Sequence, residues 1–273
     1  MTTSWLVNGT DGAVDPGDRG LAYGDGLFET MAVLNGKIRR LDLHLDRLME
    51  GCRRLKITPP DPDAIRTDLE ALRPDADRAV AKLIVTRGPG ARGYLPTGNS
   101  ESTRIVGIGP WPDYPAANHT EGVAVRSCQL RLGENPLLAG LKHLNRLEHV
   151  LARMEWEAGP WDEGLLTDTS GSVVGGTMSN VFCVRGDTLL TPALRRCGVK
   201  GVMRRTVMEL APGQGLEVEE SDFAPGLLNE SDEIFLTNAV FGIWPVRQLD
   251  QRRFEPGAVT KKLMRALETP ASA

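Results

Sequence analysis

The chain has 273 residues, of which 41% are hydrophobic and 25% charged, so it can bury a core and is not a disordered chain. Lys and Arg total 32 against 36 Asp and Glu, and this net charge of −4 disfavours a surface built for a nucleic-acid backbone. No apolar stretch is long enough to cross a bilayer. The four cysteines form no CxxC pair and the first residues show no leader pattern, so we expect a cytoplasmic protein that acts on small molecules.

The first part of the chain mixes β and α patterns. An apolar run over 27–34, the dipeptide Asn35-Gly36 and a second run over 37–41 predict two antiparallel strands joined by a tight turn. Beyond them, apolar periodicity predicts two helices and β-branched runs predict two strands: helices over 41–55 and from Asp61-Pro62 onward, and strands over 80–86 and 105–108. This succession predicts an α+β domain.

A domain boundary is indicated between Gly109 and Gly122. This stretch, GPWPDYPAANHTEG, contains three prolines and no hydrophobic period, which is typical of a linker. We therefore expect a smaller domain over 1–113, a linker over 114–121 and a larger domain over 122–273. The larger domain has further strand and helix patterns: strands over 123–128, 164–168, 181–184, 234–237 and 243–246, and helices near 141–156, 202–210 and 259–267.

The segment Gly88–Gly93 has the spacing GxGxxG and follows a predicted strand. Its context argues against a dinucleotide site, because Pro89 removes an N–H donor and residues 94–98 are typical of a loop instead of the required helix. The segment is then either a flexible loop or a mount for Arg87 and Arg92, whose guanidinium groups suit a carboxylate.

Two other kinds of catalytic site are disfavoured. The four histidines form no HExxH pattern and no Cys and His cluster has the spacing of a zinc site, so we expect no metal. Ser179 lies outside any GxSxG pattern, which disfavours a serine hydrolase.

Lys142 is the candidate nucleophile. It follows the apolar segment 136–141 and precedes leucines at helical spacing, and apolar neighbours disfavour an ammonium group. A neutral lysine attacks carbonyl groups and forms imines. The pattern by itself favours the alternative, a lysine at a helix start whose stem packs on apolar residues while its ammonium stays in water.

Seven segments are informative when they are read together and in order: GLAYGDGLFET (20–30), HLDRL (44–48), TRGPGARGY (86–94), LLAGLKHLNRLEHVLAR (137–153), GTMSNVF (176–182), CGVKGVMR (197–204) and DEIFLTNAVFGIWPV (232–246). They resemble the fold-type IV pyridoxal-phosphate enzymes, and within that class they are most similar to the 4-amino-4-deoxychorismate lyases. The resemblance covers nearly the whole chain. Its specific parts are KHLNRLE and RGxGxRGY, where branched-chain and D-amino acid aminotransferases typically differ.

This resemblance implies an α+β, two-domain, D-amino acid aminotransferase-like fold and a pyridoxal 5′-phosphate cofactor joined to Lys142. It implies a phosphate site formed by Arg47 and by the backbone of Val202 and Met203, where a helix begins. The other positions it implies are Asn145, Gly175, Asn180, Asn238 and Ala239 for the cofactor, and Phe28, Thr30, Arg87 and Arg92 for the substrate. It also implies a homodimer whose sites lie between the two domains and take a loop from the neighbouring subunit.

The activity that the resemblance implies is conversion of 4-amino-4-deoxychorismate to pyruvate and 4-aminobenzoate, a folate precursor. Lys142 would remove the ring proton beside the imine and return a proton to the departing enolpyruvyl group. The alternative is an aminotransferase for D-amino or branched-chain acids. Relatives usually carry Glu in the pattern VxEGxxSN where this chain has Gly175, which leaves open a weaker electron sink or a protein that binds the cofactor with little activity.

Overall fold

The structure, a computed structural model, describes residues 3–74, 76–96, 101–157 and 159–268. The chain forms two compact units, one of residues 1–113 with 141–145 and the other of residues 114–140 with 146–273. The short segment 141–145 therefore belongs to the first unit, although the sequence pattern assigned it to a helix of the larger domain.

The first unit is built on an antiparallel five-stranded sheet. Its described elements are strands β1 (Ser4–Val7), β2 (Gly26–Leu34), β3 (Lys37–Ile38), β4 (Arg78–Thr86) and β5 (Thr103–Pro110), and helices α1 (Arg19–Tyr23), α2 (Leu41–Leu55) and α3 (Pro62–Ala71). The strand order is β1-β5-β4-β2-β3. Helix α2 packs on β2 and α3 packs on β5.

Local sequence explains the turn and the helix start in this unit. Asn35 and Gly36 have φ values of 50° and 69°, the left-handed conformation that a two-residue hairpin turn requires between β2 and β3. Asp61 caps α3 by accepting the N–H of Asp63, and Pro62 opens the helix because its missing N–H needs no partner there. Both features agree with the sequence predictions.

Strand β2 has two chemically different faces. Leu27 is buried on the side of α2, where Gly51 approaches it so closely that a Cβ would lie 2.7 Å from Leu27 Cδ1. Successive side chains of a strand point to opposite faces, so Phe28 and Thr30, both half-buried, lie on the other face. We call this the open face of the first unit.

The second unit is built on a mixed sheet. Its described elements are strands β6 (Val123–Leu132), β7 (Glu163–Asp168), β8 (Val173–Gly176), β9 (Asn180–Arg185), β10 (Thr188–Pro192), β11 (Glu217–Ser221), β12 (Glu233–Asn238), β13 (Gly242–Leu249) and β14 (Arg252–Arg253), and helices α4 (Ala117–Thr120), α5 (Leu147–Arg153), α6 (Val202–Leu210), α7 (Pro225–Asn229) and α8 (Ala258–Glu268). The order is β11-β10-β9-β12-β13-β6-β7-β8, with β14 paired to β13.

Strands β9 and β12 are buried on both faces, which explains their continuous apolar runs. Phe182 and Phe235 stack with ring centres 5.0 Å apart in the core under α6 and α8. Their chain neighbours Val181 and Leu236 face a second core that contains Trp244. Because the two strands are antiparallel, the polar start of β9 lies beside the polar end of β12.

The helix predicted over 141–156 is wrong in extent. Helix α5 spans only Leu147–Arg153, and residues 141–146 are not helical. Gly140 has a φ of 82°, and the main chain that follows it bonds to β2 instead of to itself. The predicted linker over 114–121 also contains α4 and belongs to the second unit.

The helices predicted over 202–210 and 259–267 are confirmed as α6 and α8. Among the residues described, no helix combines the length and the apolar character needed to cross a membrane.

Candidate active site

Lys142 lies in a short extended segment beside the edge of β2. Its carbonyl accepts the N–H of Phe28 at 2.9 Å, and the N–H of Leu144 donates to the carbonyl of Gly26 at 3.0 Å. This antiparallel pairing fixes the main chain of the lysine to the first unit. The side chain of Lys142 therefore shares a face with Phe28.

Asn145 is held by the turn that precedes β2. Its Nδ2 donates to the carbonyl of Gly24 at 3.1 Å, and a Cβ on residue 24 would lie 2.5 Å from Asn145 Oδ1. The helix predicted near 141–156 would have placed Asn145 and Lys142 on one helix face, but neither residue is helical. Asn145 instead anchors the segment that carries Lys142.

The amine of Lys142 lies over an aromatic ring on the open face. Its Nζ is 4.1 Å from the centre of the Phe28 ring, and the Nζ of Lys82 is 5.6 Å from the same centre. Lys82 pairs with Thr30 between β4 and β2, so these side chains share the open face. The negative face of an aromatic ring attracts an ammonium group, so Phe28 steadies the amine there.

Arg47 is oriented by a buried carboxylate on the α2 side of β2. Its Nε donates to Glu29 Oε1 at 2.8 Å and its Nη2 donates to Glu29 Oε2, while His44 Nδ1 lies 2.6 Å from Oε2. Burial opposes the ionisation of Glu29, but the charge of Arg47 and the contact with His44 hold its pKa below the ordinary value of 4.5. The contact of Arg47 with a cofactor phosphate stays a prediction.

The two arginines of the 86–94 segment have different settings. Arg87 donates to both carboxylate oxygens of Asp25, at 2.7 and 3.0 Å, and to the carbonyls of Lys56 and Leu55 at the end of α2, at 2.6 and 2.9 Å. These bonds hold Arg87 at the end of α2, and its contact with a substrate carboxylate stays a prediction. Arg92 is exposed, and no described residue pairs with its side chain.

Helix α6 begins with main-chain donors that have no acceptor. Its N-cap, Gly201, has no side chain to cap the first turn, and no described residue accepts the N–H of Val202 or Met203. Asn180 fixes this start, since its Oδ1 accepts the N–H of Gly201 at 3.0 Å and its Nδ2 donates to Val199 at 2.8 Å. A Cβ on residue 201 would lie 2.1 Å from Asn180 Oδ1, so a side chain there would displace Asn180 from this hydrogen bond.

The turn between β8 and β9 is organised around one buried carboxylate. Glu163, 1% exposed, accepts hydrogen bonds from Thr177 N at 3.0 Å, Thr177 Oγ1 at 2.5 Å, Met178 N at 3.2 Å and Ser179 Oγ at 2.9 Å. The N–H of Gly164 donates to the same carboxylate at 2.9 Å. Both oxygens are thus occupied by donors, which is how a buried carboxylate is stabilised.

Asn238 connects the end of β12 to this turn. Its Nδ2 donates to the carbonyl of Met178 at 2.6 Å, and its Oδ1 accepts the N–H of Val240 at 2.8 Å, which fixes the backbone around Ala239. The hydroxyl of Thr237, the preceding residue, is buried and has no partner among the residues described.

Gly175 lies in β8 opposite Leu166. Its φ is 159°, and a Cβ at this position would lie 2.8 Å from the main-chain oxygen of Ser179. A backbone atom cannot move aside as a flexible side chain can. The position where relatives carry Glu therefore has no room for a side chain while the turn keeps this form.

The donor set of the second unit fits a phosphate ester. The first-turn N–H groups of Val202 and Met203 lie at the positive end of the α6 dipole, and the buried Thr237 hydroxyl is a further unpartnered donor of this unit. In the first unit, Lys142 supplies the amine that an imine with an aldehyde requires. The residues present therefore fit pyridoxal 5′-phosphate.

Sequence reasoning missed three charged residues around these groups: Glu29, Lys82 and Glu163. The two glutamates lie in or at the start of largely buried strands, and a buried carboxylate needs partners, so each was a detectable sign of a polar network. Lys82 shares a face with Phe28 through the register of β2 with β4, which the sequence does not show.

Known proteins resemble this chain over nearly its full length. The class IV amino-transferase family model matches residues 26–249. Aminodeoxychorismate lyase from Vibrio harveyi is 34% identical over 93% of this chain and 95% of that protein. A putative branched-chain-amino-acid aminotransferase from Methanocaldococcus jannaschii is 34% identical over 94% of this chain and 91% of that protein. The solved structure of 4-amino-4-deoxychorismate lyase from Pseudomonas aeruginosa is 49% identical with a TM-score of 0.93, covering 97% of this chain and 98% of that chain.

Proposed function

The chain belongs to the class IV aminotransferase family, and from this premise we propose that it is a pyridoxal-phosphate-dependent lyase converting 4-amino-4-deoxychorismate to 4-aminobenzoate and pyruvate. The setting of Lys142 carries the proposal. Its amine lies on the open face near the second amine of Lys82, and the same unit exposes Arg92 without a described partner. An amine near Lys82, in a unit that also exposes the guanidinium of Arg92, suits an amine substrate with two carboxylates.

For the anchoring of the cofactor we propose the residues that the family resemblance implies. Lys142 would hold it covalently, and the N–H groups of Val202 and Met203 would bind its phosphate with Arg47 as a cationic partner. When bound, pyridoxal phosphate withdraws electrons from the carbon attached to the imine nitrogen and so acidifies the C–H bond there. Asn180 supports this arrangement because it fixes the start of α6.

Lys142 performs the proton transfers of the proposed reaction. Released by the substrate amine, it is a neutral base that takes the proton from the ring carbon bearing that amine. The neighbouring C–O bond breaks, and the proton returns to the methylene carbon of the enolpyruvyl group to give pyruvate. The ring becomes aromatic, and no outside oxidant, reductant or water is consumed. Lys142, neutral again, would then be free to hold the cofactor for the next cycle.

Substrate recognition is assigned to the open face and to the exposed loop. Arg92 would bind one carboxylate through its planar fork, and Lys82 would balance the charge of the other. The ring of Phe28 offers a flat apolar surface beside the amine of Lys142, and the hydroxyl side chain of Thr30 lies on the same face.

An aminotransferase is the second candidate, favoured by the 34% identity to a putative branched-chain-amino-acid aminotransferase. Gly175 argues for the lyase. Without a carboxylate at this position the ring nitrogen of the cofactor lacks its usual proton-holding partner, and transamination depends more on that electron sink because its product gains no aromatic ring.

The experiment is to supply the purified holoenzyme with 4-amino-4-deoxychorismate and, separately, with D-alanine or L-leucine plus 2-oxoglutarate. We expect equal amounts of 4-aminobenzoate and pyruvate in the first assay and little amino transfer in the second. Both assays use the unmodified chain, because a Cβ at residue 175 would lie 2.8 Å from the main-chain oxygen of Ser179 and a Glu or Ala variant would disturb the turn. Brisk transamination by the unmodified chain without 4-aminobenzoate formation would reject the lyase.

A homodimer is the proposed assembly. Helix α5 exposes Leu147 (76%), Val150 (51%) and Leu151 (55%). Its C-cap Met154 is 65% exposed, and Leu137, earlier in the chain, is 82% exposed. An apolar patch of this kind is typical of a surface that is covered by another protein. Leu151→Asp should shift the mass measured by sedimentation towards the monomer, whereas Leu21→Asp, at an exposed leucine of α1, should not.

A cytoplasmic setting is also proposed. All four cysteines are free thiols. Burial raises the pKa of Cys128 and of Cys197 to about 12, so neither forms the reactive thiolate readily. Fractionation of cells that express the chain would test the location.

A further inference from the structure

Arg19 is a buried cation that the proposed reaction does not use. It lies at the start of α1 and is 4% exposed. Its Nε donates to Asp25 Oδ2 at 3.0 Å, its Nη1 donates to the carbonyl of Gly93 at 2.8 Å and its Nη2 donates to the carbonyl of Tyr94 at 2.9 Å. A guanidinium group buried this deeply needs such acceptors, and two of the three belong to the loop that carries Arg92.

The residues that follow Arg92 are held from a second direction by Tyr23. The hydroxyl of Tyr23 accepts the N–H of Gly93 at 3.2 Å, and its ring centre is 5.6 Å from that of Tyr94. The guanidinium carbon of Arg19 lies 4.8 Å from the centre of the Tyr23 ring. Arg19 and Tyr23 thus form one clamp on the main chain just beyond Arg92.

The residues before Arg92 are held by the same segment. The N–H of Arg19 donates to the carbonyl of Gly88 at 3.0 Å, and the N–H of Gly90 donates to Gly17 at 3.3 Å. A Cβ on residue 90 would lie 2.9 Å from Arg19 Cδ, so the loop packs directly on the arginine stem. Both sides of Arg92 are therefore fixed, although its own side chain is exposed.

Asp25 links this clamp to the segment that carries Lys142. It accepts bonds from both Arg19 and Arg87, and its neighbours Gly24 and Gly26 accept the bonds from Asn145 and from the N–H of Leu144. Partial burial opposes ionisation of Asp25, but the hydrogen bonds from the two arginines hold its pKa below the ordinary value of 3.8. One short stretch of chain, 19–26, thus supports both functional segments.

We propose that Arg19 is a positioning residue that holds the Arg92 loop in register with Lys142, and so sets the affinity for substrates that carry a carboxylate. This rests on the proposed function, in which Arg92 binds that carboxylate. Lysine cannot replace Arg19, because an ammonium group cannot reach two consecutive carbonyls and Asp25 in one plane. Without the clamp, Arg92 is still present, but the loop that carries it samples other conformations.

The kinetic test compares Arg19→Lys, Arg92→Lys and the double variant in the pyruvate-release assay. Arg19→Lys should lower kcat/KM for 4-amino-4-deoxychorismate by about 100-fold, mainly through KM, with the cofactor absorption unchanged. Because Arg19 acts through Arg92, the double variant should lose little more than Arg92→Lys does. Losses that multiply, or a loss confined to kcat, would overturn the proposal.

Two further variants separate positioning from general damage to the fold. Arg104→Lys changes another ion-paired arginine of the first unit, bound to Asp68 at 2.6 Å, and should leave the kinetics unchanged. Tyr23→Phe removes only the acceptor for Gly93 and should raise KM about fivefold. If Arg19→Lys does not fold, a comparison of Tyr23→Phe with Tyr23→Leu gives the same test. The leucine variant also loses the ring that lies under Arg19, so its KM should rise further than that of the phenylalanine variant.

Trypsin cleavage after Arg92 gives a readout that does not depend on the substrate. Cleavage of a native loop follows the population of its opened form, so Arg19→Lys should speed it about tenfold relative to Arg104→Lys, as measured by mass spectrometry. If the unmodified chain fails to convert 4-amino-4-deoxychorismate, the proposed function fails while this rate still tests the clamp. An unchanged cleavage rate would show that Arg19 does not hold the loop.

Discussion

The two units prepare their functional groups in different ways. In the first unit, charged side chains are oriented by opposite charges, as Arg47 is by Glu29. In the second unit, the donors are neutral main-chain N–H groups, and the residues that matter are those that hold the main chain, such as Asn180 and Glu163. A substitution of the functional residue itself removes a group of the first kind. A main-chain N–H group is present in any residue except proline, so a substitution disturbs it mainly by altering the residues that hold the main chain.

The strongest test of the first unit is Lys142→Ala. Without the amine there is no covalent anchor and no base, so pyruvate release should fall by at least about 10⁴-fold, the upper range for a lost general base. Borohydride should fix the cofactor to the unmodified chain at Lys142 and to no residue of the variant. Lys37→Ala, at an exposed lysine of β3, is the control and should keep full activity. Labelling of another lysine in the unmodified chain would contradict the assignment.

The matching test of the second unit is Glu163→Gln, which alters a support. An amide has one acceptor oxygen and turns an NH₂ group towards the donors of Thr177 and Ser179, so the free energy of unfolding should fall by about 3 kcal/mol, with weaker cofactor binding. Urea unfolding and cofactor titration measure the two effects.

Asp162→Asn is the matched control for that variant. Asp162 Oδ2 accepts the N–H of Ala124 at 2.8 Å, and an amide oxygen can still accept this bond, so the loss should stay below about 1 kcal/mol. Equal losses in the two variants would mean that Glu163 is not the centre of the 176–179 turn.

A smaller effect is expected from Arg47→Ala. If one charge-assisted hydrogen bond to the phosphate is lost, cofactor affinity should fall by about 1.5–3 kcal/mol, roughly 10- to 150-fold. The variant also leaves Glu29 without its cation. Arg104→Ala likewise leaves a carboxylate, that of Asp68, without its cationic partner, so it controls for the loss of an ion pair. A cofactor titration that is unchanged, or changed equally in both variants, would remove Arg47 from the phosphate site.

The smallest effect concerns acid stability of the first unit. The folded pKa of Glu29 lies below its ordinary value of 4.5, so its contribution is fully present above that pH and is lost as the pH falls through the folded pKa. Glu29→Gln should therefore show a flatter fall in unfolding free energy between about pH 6 and pH 3. Glu70→Gln, at an exposed carboxylate of α3, should follow the unmodified chain. Parallel curves for the unmodified chain and Glu29→Gln would disprove the ionic role.

Elements whose signals are local were predictable from the sequence. The β2–β3 turn follows from Asn35-Gly36, and α6 follows from its apolar spacing after Gly201. The helix over 141–156 was overcalled because leucines at helical spacing were taken for a buried face. In α5 several of these leucines are exposed, and the preceding residues pair with a strand more than a hundred positions earlier in the chain. A local pattern contains no information about such a partner.

The candidate site depends on the same distinction between local and distant information. Lys142 and the start of α6 were implied by the family resemblance of their segments, and their roles stay predictions. The different settings of Arg87 and Arg92 could not be predicted, since the sequence does not show that Asp25 and the end of α2 occupy the first of them. The clamp of Arg19 could not be predicted either, because its acceptors in the loop are main-chain carbonyl groups, which every residue has.

The segment 141–145 has a consequence for how the chain is made. It completes the edge of β2 over Gly26 to Phe28, and until it has been synthesised that edge keeps unpaired N–H and C=O groups. A ribosome releases the N-terminal residues first, so this edge of β2 stays unpaired, and open to wrong strand pairing, while the next hundred or so residues are added. Lys142 reaches its place beside Phe28 in the same step that pairs this edge, so a nascent chain has the amine there only once the sheet of its first unit is complete.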